Sequence, residues 1–273
     1  MDTLPTLAVV GAGSMGGAIL RGLVAAGTDP ARITVSTRSS ASATEWRHAG
    51  VRAYSLEEDP GANSTAVAGA GVVLIGVKPV MVHETLTGIA DALDPVAIVV
   101  SVAAGVTTAS MEAIVDNPVI RAMPNTPALV RRAVTGIAAG SRAGEVPVAI
   151  ARRLFEAVGT VIELPEDRID ALSAISGSGP ATFAFLTERL TATAMNLGFD
   201  ETDARAMAEH TLMGTAALLE ASGDAPAELR RKVTSPKGTT ERIIAVLGEA
   251  DLTALFDRAA AAAIARANEL AAR

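Results

Sequence analysis

Cysteine is absent from the 273-residue sequence, which excludes disulfides, thiolate nucleophiles and Cys-based metal sites and fits a cytoplasmic protein. Aromatic residues are scarce at 3%, so the core must come from small, closely packed elements. Three histidines occur, His48, His83 and His210, far apart and without ligand spacing. Each reads as a surface or structural histidine ahead of a catalytic one, and no metal is expected. Positive charge is also short. The formal net charge of -7 argues against a nucleic-acid surface, which needs clustered Lys and Arg to neutralise phosphates. Long hydrophobic runs are missing too. The apolar residues near the start break at Gly11 and Gly13 with no basic flank before them, so no signal peptide is read there, and no stretch is long enough to span a bilayer. A soluble protein with a small-molecule ligand is expected, without nucleic acid or membrane.

Apolar residues nonetheless make up 49% of the chain, mostly Ala, Val, Leu and Ile, and they fall into two regimes. Up to about Pro165, short apolar runs alternate with helical periodicity: Leu7 to Val10, Ile33 to Ser36, Val72 to Val77, Ile98 to Val102, Val119 to Ala122, Gly136 to Ala139 and Thr160 to Glu163. Such alternation predicts a mostly parallel, doubly wound α/β sheet. From Ile169 onward nothing resembles a strand. Ala-rich segments at Pro180 to Leu197, Glu201 to Ala221, Ala227 to Val233, Glu241 to Leu247 and Leu252 to Ala272 read as helix, and the acidic turn Pro165-Glu166-Asp167 marks the boundary between a domain 1–165 and a domain 166–273.

The first strand runs into Gly11-Ala12-Gly13-Ser14-Met15-Gly16 and then a helix. A lone GxGxxG is weak; between a strand and a helix it is the Rossmann-type dinucleotide turn. There Gly11 permits the tight turn, Gly13 admits the pyrophosphate and Gly16 lets helix and strand pack closely. A purely structural turn is the alternative. NAD-preferring sites carry an Asp or Glu at the end of the second strand, and none stands there. Ser36-Thr37-Arg38-Ser39-Ser40 offers hydroxyls and a guanidinium instead, a set suited to a 2′-phosphate, unless it is an ordinary polar loop. NADPH is the expected cofactor, with NADH as a weaker substitute.

Four further turns stand out: Val77-Lys78-Pro79, Ala103-Ala104-Gly105-Val106, Met123-Pro124-Asn125-Thr126-Pro127 and Ser176-Gly177-Ser178-Gly179-Pro180. The first three follow predicted strands and so fall on the carboxyl edge of the sheet, where ligands bind in such folds. Near the end, Val233-Thr234-Ser235-Pro236-Lys237-Gly238-Thr239-Thr240 precedes a helix expected from about Glu241. Its amides and hydroxyls can hold a carboxylate, or merely cap the helix.

Taken together, GAGSMG, VKP, AAGVT, MPNTPA, SGSGPA and VTSPKGTT closely resemble the pyrroline-5-carboxylate reductases over essentially the whole chain, the last two motifs being the specific ones. The resemblance implies NADPH-dependent reduction of the cyclic imine L-1-pyrroline-5-carboxylate to L-proline, the last step of proline biosynthesis. It implies an N-terminal Rossmann-type NADP-binding domain followed by an all-α C-terminal dimerisation and substrate domain. Homodimers, open to further assembly, would form through the C-terminal helices and place the active site between subunits. Ser14, Met15, Asn63, Val77, Lys78, Pro79, Ala103, Ala104 and Gly105 would join Ser36, Thr37, Arg38, Ser39 and the glycines as cofactor contacts. Glu166 would lie near the nicotinamide and substrate as a catalytic group. Ser235, Gly238 and Thr239 would hold the substrate carboxylate, and Thr240 would hydrogen-bond the ring nitrogen. The sequence departs from the family at Lys237, where Gly is usual, and at Thr182, where Tyr is common. Two rivals share the glycine turn: an NADPH-dependent hydroxyacid or keto-acid reductase, which needs a proton donor for an alkoxide, and a non-catalytic NADP-binding regulator.

Overall fold

The computed structural model describes residues 4–271, so the expected domain limits at 1 and 273, and the helix end at Ala272, lie outside the described residues. Among them are eight strands in one sheet: β1 (Leu7–Val10), β2 (Ile33–Thr37), β3 (Arg52–Ser55), β4 (Val72–Ile75), β5 (Ile98–Ser101), β6 (Val119–Met123), β7 (Ala133–Ala139) and β8 (Gly159–Glu163). Their order is β3-β2-β1-β4-β5-β6-β7-β8. Every neighbouring pair is parallel except β6 with β7. Helices α1 (Ser14–Ala25), α2 (Ser40–His48), α3 (Ala62–Val67), α4 (Val82–Ile89), α5 (Thr108–Glu112), α6 (Glu145–Glu156) and α7 (Ile169–Leu172) accompany the sheet.

The central strands are uninterrupted apolar runs because both faces of the sheet are covered. Along β1, Leu7 and Val9 enter a core with Ile19, Leu20, Leu23, Leu74 and Phe155. Their neighbours Ala8 and Val10 enter a second core with Ile75, Leu86, Ile89 and Met111, as the two-residue repeat of a strand requires.

The expected α/β sheet is present, with two differences. β3 was not anticipated, since Arg52-Ala53-Tyr54-Ser55 carries no apolar run; as an edge strand it needs only one partner, β2. The strand expected to reach Val77 ends at Ile75, where Gly76 and Val77 pass beneath the glycine turn. By its contacts the sheet unit extends to Ser178, as residues 166–178 pack onto the sheet: Ile169 is fully buried, and a Cβ on Gly136 of β7 would lie 2.9 Å from Leu172.

The second unit, Gly179–Ala262, is all helix, as read from the sequence. It contains α8 (Gly179–Asn196), α9 (Glu201–Ser222), α10 (Pro226–Lys232), α11 (Thr239–Gly248) and the first part of α12 (Leu252–Ala271). Asp200 caps α9 by accepting from the Asp203 amide at 2.9 Å, and Gly223 ends it in the left-handed region at φ 66°.

Candidate active site

Strand order reverses at β1, whose neighbours are β2 on one side and β4 on the other. A crevice therefore opens at the carboxyl ends of β1 and β4, and three glycines meet there. Gly11 turns with φ +86°, and a Cβ on either Gly16 or Gly76 would sit 2.6 Å from the Gly11 carbonyl oxygen. Gly13 differs: a Cβ there would meet nothing within 4 Å. Gly13 and Ser14 are exposed and Met15 half-buried at the open start of α1. The Gly13 N-cap supplies no side-chain bond, and the Ser14, Met15 and Gly16 amides have no partner among the described residues. An uncapped, positively polarised helix end beside an open glycine fits a pyrophosphate.

Other carboxyl-edge turns cluster around this crevice. Val77 follows Gly76 and touches the Gly11 position, while Lys78 and Pro79 are exposed. Asn63 lies half-buried in the first turn of α3. After β5, Ala103 is buried and its amide bonds the Ser101 hydroxyl at 3.3 Å; Ala104 is exposed, and Gly105 turns at φ 75°.

In the β2–α2 loop the residues expected at the cofactor differ in exposure. Ser36 is buried at 1% exposure. Its hydroxyl has no partner among the described residues, and its carbonyl accepts the Gly11 amide at 3.0 Å. Thr37 is also buried, its hydroxyl donating to Ser39 O at 2.9 Å and lying 3.3 Å from Tyr54 O. Both side chains belong to the sheet. Arg38 remains, exposed, with Ser39 and Ser40 at the start of α2, where the Ser39 hydroxyl caps the Ser42 amide at 3.3 Å.

Glu166 is engaged by its own neighbours. Its two oxygens accept from the Thr108 amide and the Thr108 hydroxyl, each at 2.7 Å, and Arg121 approaches Oε1 at 3.6 Å. Arg121 is 4% exposed and also pairs with Asp170 at 2.7 Å. Glu166 thereby ties α5 and β6 to the segment that leads into α7. Thr108, Arg121 and Asp170 were not picked out beforehand. Asn125, singled out only as part of a turn, is a second tie. Its Oδ1 accepts from the Val134 amide and its Nδ2 donates to Ser176 O, each at 2.9 Å, joining the MPNTPA and SGSGPA motifs. The segment Ser173–Gly177 that receives it is a single π-helical turn, a distortion found mostly at functional sites.

In the second unit, the 233–240 loop leads into α11. Lys237 adopts φ +59°, the left-handed region that the family's usual Gly occupies freely. Its amide donates to the Glu241 carboxylate, a capping-box arrangement displaced by one residue. Gly238 is the N-cap, but its own amide already bonds Ser235 O at 3.0 Å, so it offers the substrate no donor as had been expected. The Thr239 and Thr240 amides have no partner among the described residues. With the exposed Ser235 and Thr239 and half-buried Thr240 hydroxyls, they form a compact set of donors at a helix N-terminus.

Comparison with known proteins adds the following. A family model described as pyrroline-5-carboxylate reductase dimerisation matches residues 166–270. One described as NADP oxidoreductase, coenzyme F420-dependent, matches residues 6–105. A pyrroline-5-carboxylate reductase of Pseudomonas aeruginosa is 39% identical over 272 residues, 98% of this chain and 97% of that one. That of Arabidopsis thaliana is 34% identical over 96% of this chain and 94% of its own. Among solved structures, a pyrroline-5-carboxylate reductase from Coxiella burnetii superposes with TM-score 0.91 at 35% identity, covering 98% of this chain and 99% of that one. A Plasmodium falciparum pyrroline carboxylate reductase with NADP bound shares the fold at 21% identity, TM-score 0.81 and 99% coverage of both chains.

Proposed function

This chain belongs to the pyrroline-5-carboxylate reductase family, and from that premise we infer that it is an NADPH-dependent oxidoreductase acting on a C=N bond, converting L-1-pyrroline-5-carboxylate to L-proline in the last step of proline biosynthesis. Full-length similarity joining the glycine-turn domain to the SPKGTT loop carries this reading. The crevice fits the cofactor: Gly13 leaves the space, α1 presents unpartnered amides and Arg38 stands exposed beyond β2. NADPH supplies the hydride when bound.

The chain's own task is positioning. Unpartnered amides at the start of α11, with the Ser235 and Thr239 hydroxyls, hold the substrate carboxylate. Gly238 gives that loop its close approach, and the Thr240 hydroxyl orients the ring nitrogen. An imine nitrogen takes its proton from water before reduction, so no strong side-chain acid is required. Glu166 has no chemical part in this scheme.

The helical unit exposes large apolar side chains, among them Phe183, Phe185, Leu190, Met213, Leu218 and Phe256. Such a surface suits a buried subunit contact, and it supports a homodimer through the C-terminal helices. No helix among the described residues is long and apolar enough to cross a membrane. A cytoplasmic place remains part of the proposal, supported by the cysteine-free composition.

The test is an assay of the imine acid beside keto acids, with NADPH and with NADH. Imine-dependent NADPH oxidation is expected. Activity on keto acids alone, or nucleotide binding without turnover, would overturn the assignment.

A further inference from the structure

The acid that marks an NAD site at the end of the second strand is missing from β2, yet the structure delivers a carboxylate to the same place from the end of β3. Just past that strand, the Leu56 amide bonds Thr37 O at 2.9 Å and the Glu57 amide bonds Arg38 O at 3.2 Å, so the chain runs alongside the β2–α2 loop. Glu57 Oε2 then accepts from both the amide and the hydroxyl of Ser40, at 2.9 and 3.2 Å. Ser40 is the first residue of α2, the position whose donors, with Arg38, would receive a 2′-phosphate.

We propose that Glu57 limits the preference of this enzyme for NADPH over NADH, by holding the Ser40 donors against a 2′-phosphate while offering an acceptor to a ribose hydroxyl. Two anions cannot share that donor pair, and at such separations like charges repel strongly. A ribose 2′-hydroxyl, by contrast, donates to a carboxylate. Arg38 and Glu57 thus act in opposite senses on one atom of the cofactor, Arg38 favouring NADPH and Glu57 favouring NADH. The proposal rests on reading this loop as the ribose end of the cofactor site.

The experiment is titration of the full-length protein with NADPH and NADH separately, by calorimetry, comparing wild type with Glu57→Gln, Glu57→Ala and Arg38→Ala. Glu57→Gln keeps an oxygen acceptor for Ser40 and so preserves the loop; Glu57→Ala checks the result without any acceptor. The expected result is a rise of about tenfold in the NADPH-to-NADH affinity ratio for both Glu57 variants and a fall for Arg38→Ala. An unchanged ratio in both Glu57 variants, with Arg38→Ala still lowering it, would overturn the role of Glu57 alone. A ratio unmoved by all three variants would overturn the assignment of the loop itself.

Discussion

Thr108 holds Glu166 at both carboxylate oxygens, its amide on Oε1 and its hydroxyl on Oε2, each at 2.7 Å. The carboxylate thereby closes the start of α5, where acidic groups are favoured, and balances the buried Arg121 guanidinium 3.6 Å away. A group so committed supports the fold of the sheet's carboxyl edge.

Glu166→Gln should accordingly lower stability. It takes the charge from both bonds, leaves an acceptor for only one of the two Thr108 donors and leaves Arg121 with Asp170 as its remaining carboxylate partner, a loss of about 2 kcal/mol. Thermal unfolding at fixed protein concentration and NADPH level reads this. Turnover of the folded variant should stay within a few-fold of wild type. A variant with unchanged Tm and turnover reduced a hundredfold would return Glu166 to the reacting centre.

Gly13 and Gly16 separate fold from binding within one motif. Gly13→Ala meets no protein atom within 4 Å, so its Tm should match wild type while NADPH affinity drops roughly tenfold or more through collision with the pyrophosphate. Gly16→Ala places a Cβ 2.6 Å from the Gly11 carbonyl oxygen, and overpacking of that kind costs about 1–3 kcal/mol. Calorimetric titration and thermal unfolding of the pair check the contrast. Equal Tm losses in both variants would show that Gly13 also serves the fold.

Lys237 occupies a left-handed conformation at φ +59°, which costs a residue with a Cβ about 1 kcal/mol. Lys237→Gly should raise Tm by a small amount and leave the KM for the imine acid within about twofold, since the side chain is exposed. A rise in KM of tenfold or more, with kcat kept, would instead assign the ammonium to the substrate carboxylate.

How far the sequence reaches is visible at particular residues. Gly11, Gly13 and Gly16 declare their roles because a fixed turn between a strand and a helix leaves few residue choices. β3 stays hidden since its four residues alternate without an apolar run and rely on one neighbour. Ser36 ends the second strand in sequence, but only the pleat shows that its side chain turns inward, and Glu57 carries no motif and reaches Ser40 only through the parallel pairing of β2 with β3. Asn125 and Ser176 likewise sit in two recognisable motifs, but nothing in either one specifies that a hydrogen bond joins them.

Thr240 provides the sharpest test of the chemistry. It stands in the first turn of α11, half-buried, with no hydrogen-bond partner for its hydroxyl or its amide among the described residues. A hydroxyl kept free at a helix N-terminus is available to a ligand nitrogen, and orientation of a reacting atom is worth about a hundredfold in rate. Thr240→Ala should lower kcat about 10- to 100-fold and leave the NADPH dissociation constant unchanged, because the nucleotide is held in the other unit by the glycine turn. Thr240→Ser retains the hydroxyl and should restore most of the turnover, which a purely structural loss of the methyl group would not do. Unaltered kinetics in Thr240→Ala would remove this residue from the mechanism, and equal losses in the Ala and Ser variants would assign it to packing of the loop alone.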